Sequence, residues 1–152
     1  RRRDATALDT GDAIAEAAQA SFFDESEPLL ADQLATLDDR WLTPRCIERV
    51  ETGKVGWCAP EALRRQGERA LRDRTADGVV RGEAFLQRSL ALARAQGALA
   101  WELRAATSLA RHRLDSGRAC EARTLLAPVF DRFTEGLETR DLLAARRVLE
   151  AL

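Results

Sequence analysis

The chain has one histidine, His112, standing between Arg111 and Arg113. Imidazole is the side chain best suited to moving a proton or holding a metal near neutral pH. With two cationic neighbours and no partner motif, His112 reads instead as a surface residue of a helix. No grouping of His, Cys or carboxylates has a metal-ligand spacing such as H-E-x-x-H. Gly53-Lys54 ends like a phosphate-binding loop, but that loop needs a glycine five residues before Gly53, where this chain has Glu48. No serine lies in a G-x-S-x-G elbow. The adjacent carboxylates Asp24-Glu25 and Asp38-Asp39 fall at helix ends, and neighbours in sequence point to different sides. They read as caps and solvated charges rather than as an acid/base pair. Cys46, Cys58 and Cys120 are an odd number at wide spacings without a C-x-x-C. That pattern opposes a disulfide framework or thiolate metal site and fits buried, reduced thiols in a cytosolic protein. These residues point to a protein without catalytic chemistry, cofactor or metal.

Composition sets limits on partners. Of 152 residues, 45% are apolar, enough for one domain with its own core. The 24 basic and 25 acidic side chains leave a net charge of −1, so no global field draws the chain to nucleic acid or an anionic membrane. All the basic residues but Lys54 are arginine, the residue suited to gripping carboxylate or phosphate. Alanine and leucine fill about a third of the chain, so a genome rich in Arg, Ala and Leu codons is the plainer explanation. Arg45, Arg49, Arg64, Arg65, Arg69 and Arg72 are interleaved with Glu48, Glu51, Glu61, Glu68 and Asp73 and lack an aromatic stacking platform. This argues against nucleic acid. Trp41, Trp57 and Trp101 read as packing residues, with Trp57, in a loop beside glycines, the one candidate for an exposed anchor. No uncharged apolar stretch nears the roughly 18 residues of a membrane span, and no apolar signal core follows Arg1–Arg3. There is no methionine. The expectation is a cytoplasmic piece of a longer protein.

Helix signals dominate the elements that would carry any site. Asp12 can cap a weak helix to about Phe23, and Ser26 can cap another with Leu29, Leu30, Gln33, Leu34 and Leu37 as its apolar stripe. Thr43-Pro44 is an N-cap and first-turn proline, and the helix it opens stops at Gly53. Pro60 opens a helix to about Arg74, and Thr75–Val80 reads as a polar linker. Helices over Gly82–Gln96 and Ala98–Ser116 end at Gly97 and Gly117. Arg118–Thr134 shows an apolar stripe including Ala122, Leu126 and Val129, with Pro128 set to kink it. A last helix after Thr139 carries Leu142, Ala145 and Leu149. Strand signals are scarce. The fold expected is all-α, with antiparallel helix hairpins stacked as a short solenoid.

Ala98–Thr134 fits the tetratricopeptide pattern, with Leu109-Ala110 in the first helix, Gly117 at the turn, and Ala122, Leu126 and Val129 in the second. Pro60–Gln96 fits it less regularly, with Gly82, Leu86 and Ser89 in the second-helix places. The run Gly82–Gly97, Trp101–Arg111, Leu125–Phe130, Phe133–Gly136 and the stretch from Gly56-Trp57 through Pro60-Glu61 to Gly67-Glu68 together resemble the C-terminal repeats of large bacterial signalling ATPases. In these proteins a nucleotide-binding core follows an adenylate-cyclase or winged-helix DNA-binding domain. The resemblance covers about residues 53–152; residues 1–52 read as additional N-terminal helices of one domain, and the last helix as a cap. Arg113 departs from the aromatic or leucine usual in its helix. The resemblance implies a regulatory, protein-binding segment whose chemistry lies in other domains.

In such a pair the first helix lines the concave side. Aligning on Leu109-Ala110 places Arg104, Thr107 and Arg111 there, with Arg64 taking the place of Arg104 in the preceding pair. A groove of arginines could clamp a partner's carboxylates. Two readings of function follow. One is a non-catalytic module that binds a protein or peptide, or other domains of its own chain. The other is a purely structural domain packed against a nucleotide-binding or sensory domain, or against a second copy as a homodimer.

Overall fold

The computed structural model describes residues 19, 20, 22 and 25–152. The helix expected from Asp12 to about Phe23 lies outside these residues except at 19, 20 and 22. The chain divides into two compact units, Arg1–Cys58 and Ala59–Leu152. Among the described residues all regular structure is helical, with no strand.

In the first unit, α1 spans Pro28–Leu34, a single 3-10 turn spans Asp39–Trp41, and α2 spans Pro44–Glu51. Thr43 caps α2 as expected, its hydroxyl accepting from Cys46 N at 3.1 Å. Asp38 caps the 3-10 turn by accepting from Arg40 N at 2.9 Å. Ser26 is not the cap expected for α1. Its hydroxyl donates to the Phe22 carbonyl at 2.8 Å, and the helix starts two residues later at a first-turn proline. The expected leucine stripe also fails. Leu29 and Leu37 are each 72% exposed, while Ala31, Asp32 and Ala35 are buried. On the buried face Asp32 accepts from Arg49 Nε of α2 at 3.2 Å.

The second unit contains α3 (Ala59–Arg72), α4 (Ala76–Ala95), α5 (Leu99–Asp115), α6 (Ala119–Phe130) and α7 (Arg140–Glu150). Helices α3 and α4 run antiparallel at very close approach. Ser89 Oγ of α4 donates to the Pro60 carbonyl near the start of α3 at 2.6 Å. Farther along, a Cβ on Gly67 would sit 3.0 Å from the Gly82 carbonyl, and one on Gly82 would sit 3.0 Å from the Gly67 carbonyl. Only glycine lets the two backbones meet this way. The same requirement disguised the helix in the sequence. Thr75 caps α4 by accepting from Gly78 N at 2.9 Å, so the stretch expected to be a linker is its first turns. Gly97 and Gly117, at φ of 65° and 74°, end α4 and α5 as expected. Helix α6 ends at Phe130, short of the expected Thr134, with Pro128 in its last turn.

Helix α5 packs against α3, α4, α6 and α7. It shares a core in which Leu86, Leu103, Leu109, Leu126 and Leu142 interlock with Ala105, Ala106, Ala110, Ala122 and Ala145. Ala110 and Ala122 are wholly buried. Enlarging either to leucine should destabilise by about 1–3 kcal/mol, read as a fall of several degrees in the thermal midpoint. An unchanged midpoint would show that these alanines are not at crowded helix crossings. No helix among the described residues is long and apolar enough to cross a membrane.

Candidate functional site

Three helices of the second unit each contribute one face to a cleft of about 370 Å³. Helix α3 supplies Arg64, Arg65 and Glu68, and α5 supplies Arg104, Thr107, Ser108 and Arg111. Helix α7 adds Arg140, Asp141 and Ala144. Within each helix these positions recur at three- and four-residue spacings (64/68, 104/107/108/111, 140/144), which align side chains on one side, with Arg65 and Asp141 flanking that line. All four residues singled out by the repeat register therefore border one cleft.

The arginines are not, however, the unpaired strip the sequence suggested. At the base lies Glu61, whose side chain is 0% exposed. It accepts from Arg64 Nε and Nη2, both at 2.8 Å, in a bidentate fork. Arg104 Nη1 lies 3.1 Å from the same carboxylate, and Arg65 Nε lies 3.7 Å away. Arg64 is also 2.6 Å from Glu68 Oε1, and its Nη1 donates to Ser108 Oγ at 3.3 Å. Ser108 in turn donates to Glu68 at 2.7 Å. Burial alone would lower the Arg64 pKa, but the hydrogen bonds and charge of Glu61, followed by Glu68, raise it above the ordinary guanidinium value. Arg64 is thus a structural cation. Thr107 is also committed, donating to the Leu103 carbonyl of its own helix at 2.7 Å.

Arg104 is intermediate. Its Nη1 edge faces Glu61, while its Nε lies 3.5 Å from Asp141 Oδ2. Arg111 and Arg140 are exposed on the cleft and have no ion-pair partner among the described residues. The lining has five guanidinium groups against the carboxylates of Glu68 and Asp141. Even with Glu61 counted, the cleft is cationic in a chain whose net charge is −1. Arg140 and Asp141 were not among the residues singled out in the sequence; they stand in the first turn of α7, which packs against α5.

The other candidate residues lie elsewhere. His112 is not on open surface: its side chain is 11% exposed, and Nε2 lies 3.6 Å from Glu83 Oε2. Glu83 accepts from both Arg118 Nη atoms, at 3.1 and 2.8 Å, and these bonds hold its carboxyl below the usual range. Arg113 has Nε 3.5 Å from Glu83. Cys46 and Cys58 are buried as expected and burial pushes the Cys58 thiol up, whereas Cys120 is exposed, on the outer face of α6. Trp57 is 60% exposed. No group of His, Cys, Asp and Glu among the described residues could hold a metal ion. Glu25 is paired with Arg45 at 2.7 Å, and Asp24 lies outside the described residues.

The cleft therefore concentrates positive charge, with Arg64 and Arg104 held by carboxylates and Arg111 and Arg140 without an ion-pair partner among the described residues. In comparisons with known proteins the chain matches no family, no curated protein and no solved structure.

Proposed function

We propose that this chain is a non-catalytic helical-repeat module that binds an acidic segment of a protein partner, or of another domain of its own chain. In this reading it serves a larger cytoplasmic bacterial signalling or transcription-regulating ATPase, the context its resemblance implies. Helices α3, α5 and α7 act as the first helices of successive tetratricopeptide-like units, which stack side by side and share a concave face. The packing of α5 against both α3 and α7 supports that register. The observation that carries the proposal is the convergence of Arg104, Arg111 and Arg140 on one cleft with a surplus of positive charge. Paired hydrogen bonds from guanidinium to carboxylate give such a surface specificity, and exposure keeps each contact weak and salt-sensitive.

The test is binding of fluorescein-labelled hexaglutamate followed by anisotropy. Arg111→Ala with Arg140→Ala should weaken binding roughly five- to tenfold at low salt, the sum of two exposed ion pairs, with the thermal midpoint nearly unchanged. Binding that is indifferent to both arginines, or to salt between 50 and 300 mM (roughly two Debye-length regimes), would remove the cleft from the function.

A specific observation also supports the structural alternative. Phe22, Leu29 and Leu37 are 66%, 72% and 72% exposed on the first unit. Apolar side chains presented this way favour docking on another domain or a second copy. Concentration-dependent mass in sedimentation equilibrium would favour the second-copy form of that reading.

A further inference from the structure

Arg104 has two carboxylate partners of different character. Glu61 is fully buried, is fixed by the Arg64 fork, and approaches Nη1 at 3.1 Å. Asp141 is 47% exposed at its side chain and approaches the opposite edge at 3.5 Å from Nε. One carboxylate anchors the guanidinium; the other rests on it at more than ordinary hydrogen-bond length. The Nε edge of a guanidinium can instead offer a carboxylate two parallel N–H donors.

We propose that Asp141 is the cleft's internal counter-ion, and that a partner's carboxylate binds by displacing it from the Nε edge of Arg104. This rests on the reading of the cleft as a site for acidic segments and names how that site is regulated. The exchange swaps one carboxylate for another, so Arg104 suffers little new desolvation, and the released Asp141 side chain turns to water. The 3.5 Å contact gives way to a two-bond fork. Meanwhile Arg111, seven residues along α5 and therefore about 10 Å away along the helix axis, takes a second carboxylate of the same segment. An extended acidic segment spans that distance in about three residues. Asp141 thus excludes single carboxylates, which gain too little to displace it, and admits segments carrying several.

The same labelled hexaglutamate, which presents carboxylates at every spacing, tests this on the full chain. Asp141→Asn should bind about three- to tenfold tighter than the wild type, because the competitor is gone. Asp77→Asn, which removes an equal charge from an exposed site on α4 that pairs with Arg81, should stay within about twofold. In an Arg104→Gln background the gain from Asp141→Asn should vanish. An unchanged or weaker affinity in Asp141→Asn overturns the displacement, as does a gain that persists without Arg104. If that happens while Arg111→Ala with Arg140→Ala still loses binding, the cleft reading survives and the displacement alone falls. Failure of every variant to bind at low salt overturns both. Asp141→Ser is the second variant should the asparagine disturb the start of α7, with helicity by circular dichroism as the check.

Discussion

Glu61→Ala should lower stability by about 3 kcal/mol, the lower end of what breaking one side of a buried ion pair costs. The carboxylate is wholly enclosed and holds Arg64, which is itself buried, through two 2.8 Å bonds. Without Glu61 the guanidinium keeps Glu68 and Ser108, which limits the loss. It nevertheless retains a buried charge facing a void where its main partner stood. Arg104, 30% exposed at its side chain, can turn to water and adds little. The signature that separates a charge network from simple packing is the double variant. Glu61→Leu with Arg64→Met replaces both ions by apolar groups of similar size, and such replacements are often neutral or stabilising. The double variant should therefore recover most of the loss, giving a coupling well above 1 kcal/mol in urea denaturation. Additive losses would mean that Glu61 contributes volume rather than charge.

How this network escaped sequence reading is instructive. Periodicity located Arg64, Arg104 and Arg111 on one side of their helices, since that follows from helix geometry alone. Ion pairing depends on distances across helices, which no spacing within one helix encodes. Glu61 read as one of the acidic residues interleaved with the arginines, and nothing local marks it as buried. The second unit was otherwise legible because its signals agree: Gly97 and Gly117 stop helices where the apolar stripes end. The start of α4 was not, because Gly78 and Gly82 lower intrinsic helix propensity where close packing on α3 demands them. In the first unit the stripe of Leu29, Leu30 and Leu37 misled for the opposite reason. Hydrophobicity pointed one way, and the buried face is instead the one that carries Asp32, paired with Arg49.

The same substitution should act differently in the two units. Leu126→Ala should cost about 2–5 kcal/mol, whereas Leu29→Ala should stay within about 0.5 kcal/mol. Leu126 is 0% exposed on α6, inside the core shared with Leu86, Leu103 and Leu109. Truncation there removes several buried methyl and methylene groups and leaves a cavity beside α5 and α7, against which α6 packs, that collapses only in part. Leu29 carries the same side chain but is 72% exposed, so truncation removes surface that water already touches. Sequence pattern alone ranks the two leucines alike, since both lie on apolar stripes. Urea denaturation at constant m-value resolves the difference as a shift in midpoint. Against a typical total of about 5–15 kcal/mol, the Leu126 loss is a large share of what keeps the chain folded. A comparable loss at Leu29 would mean that the α1 stripe is covered in solution, and the exposed face assigned to docking would already be occupied.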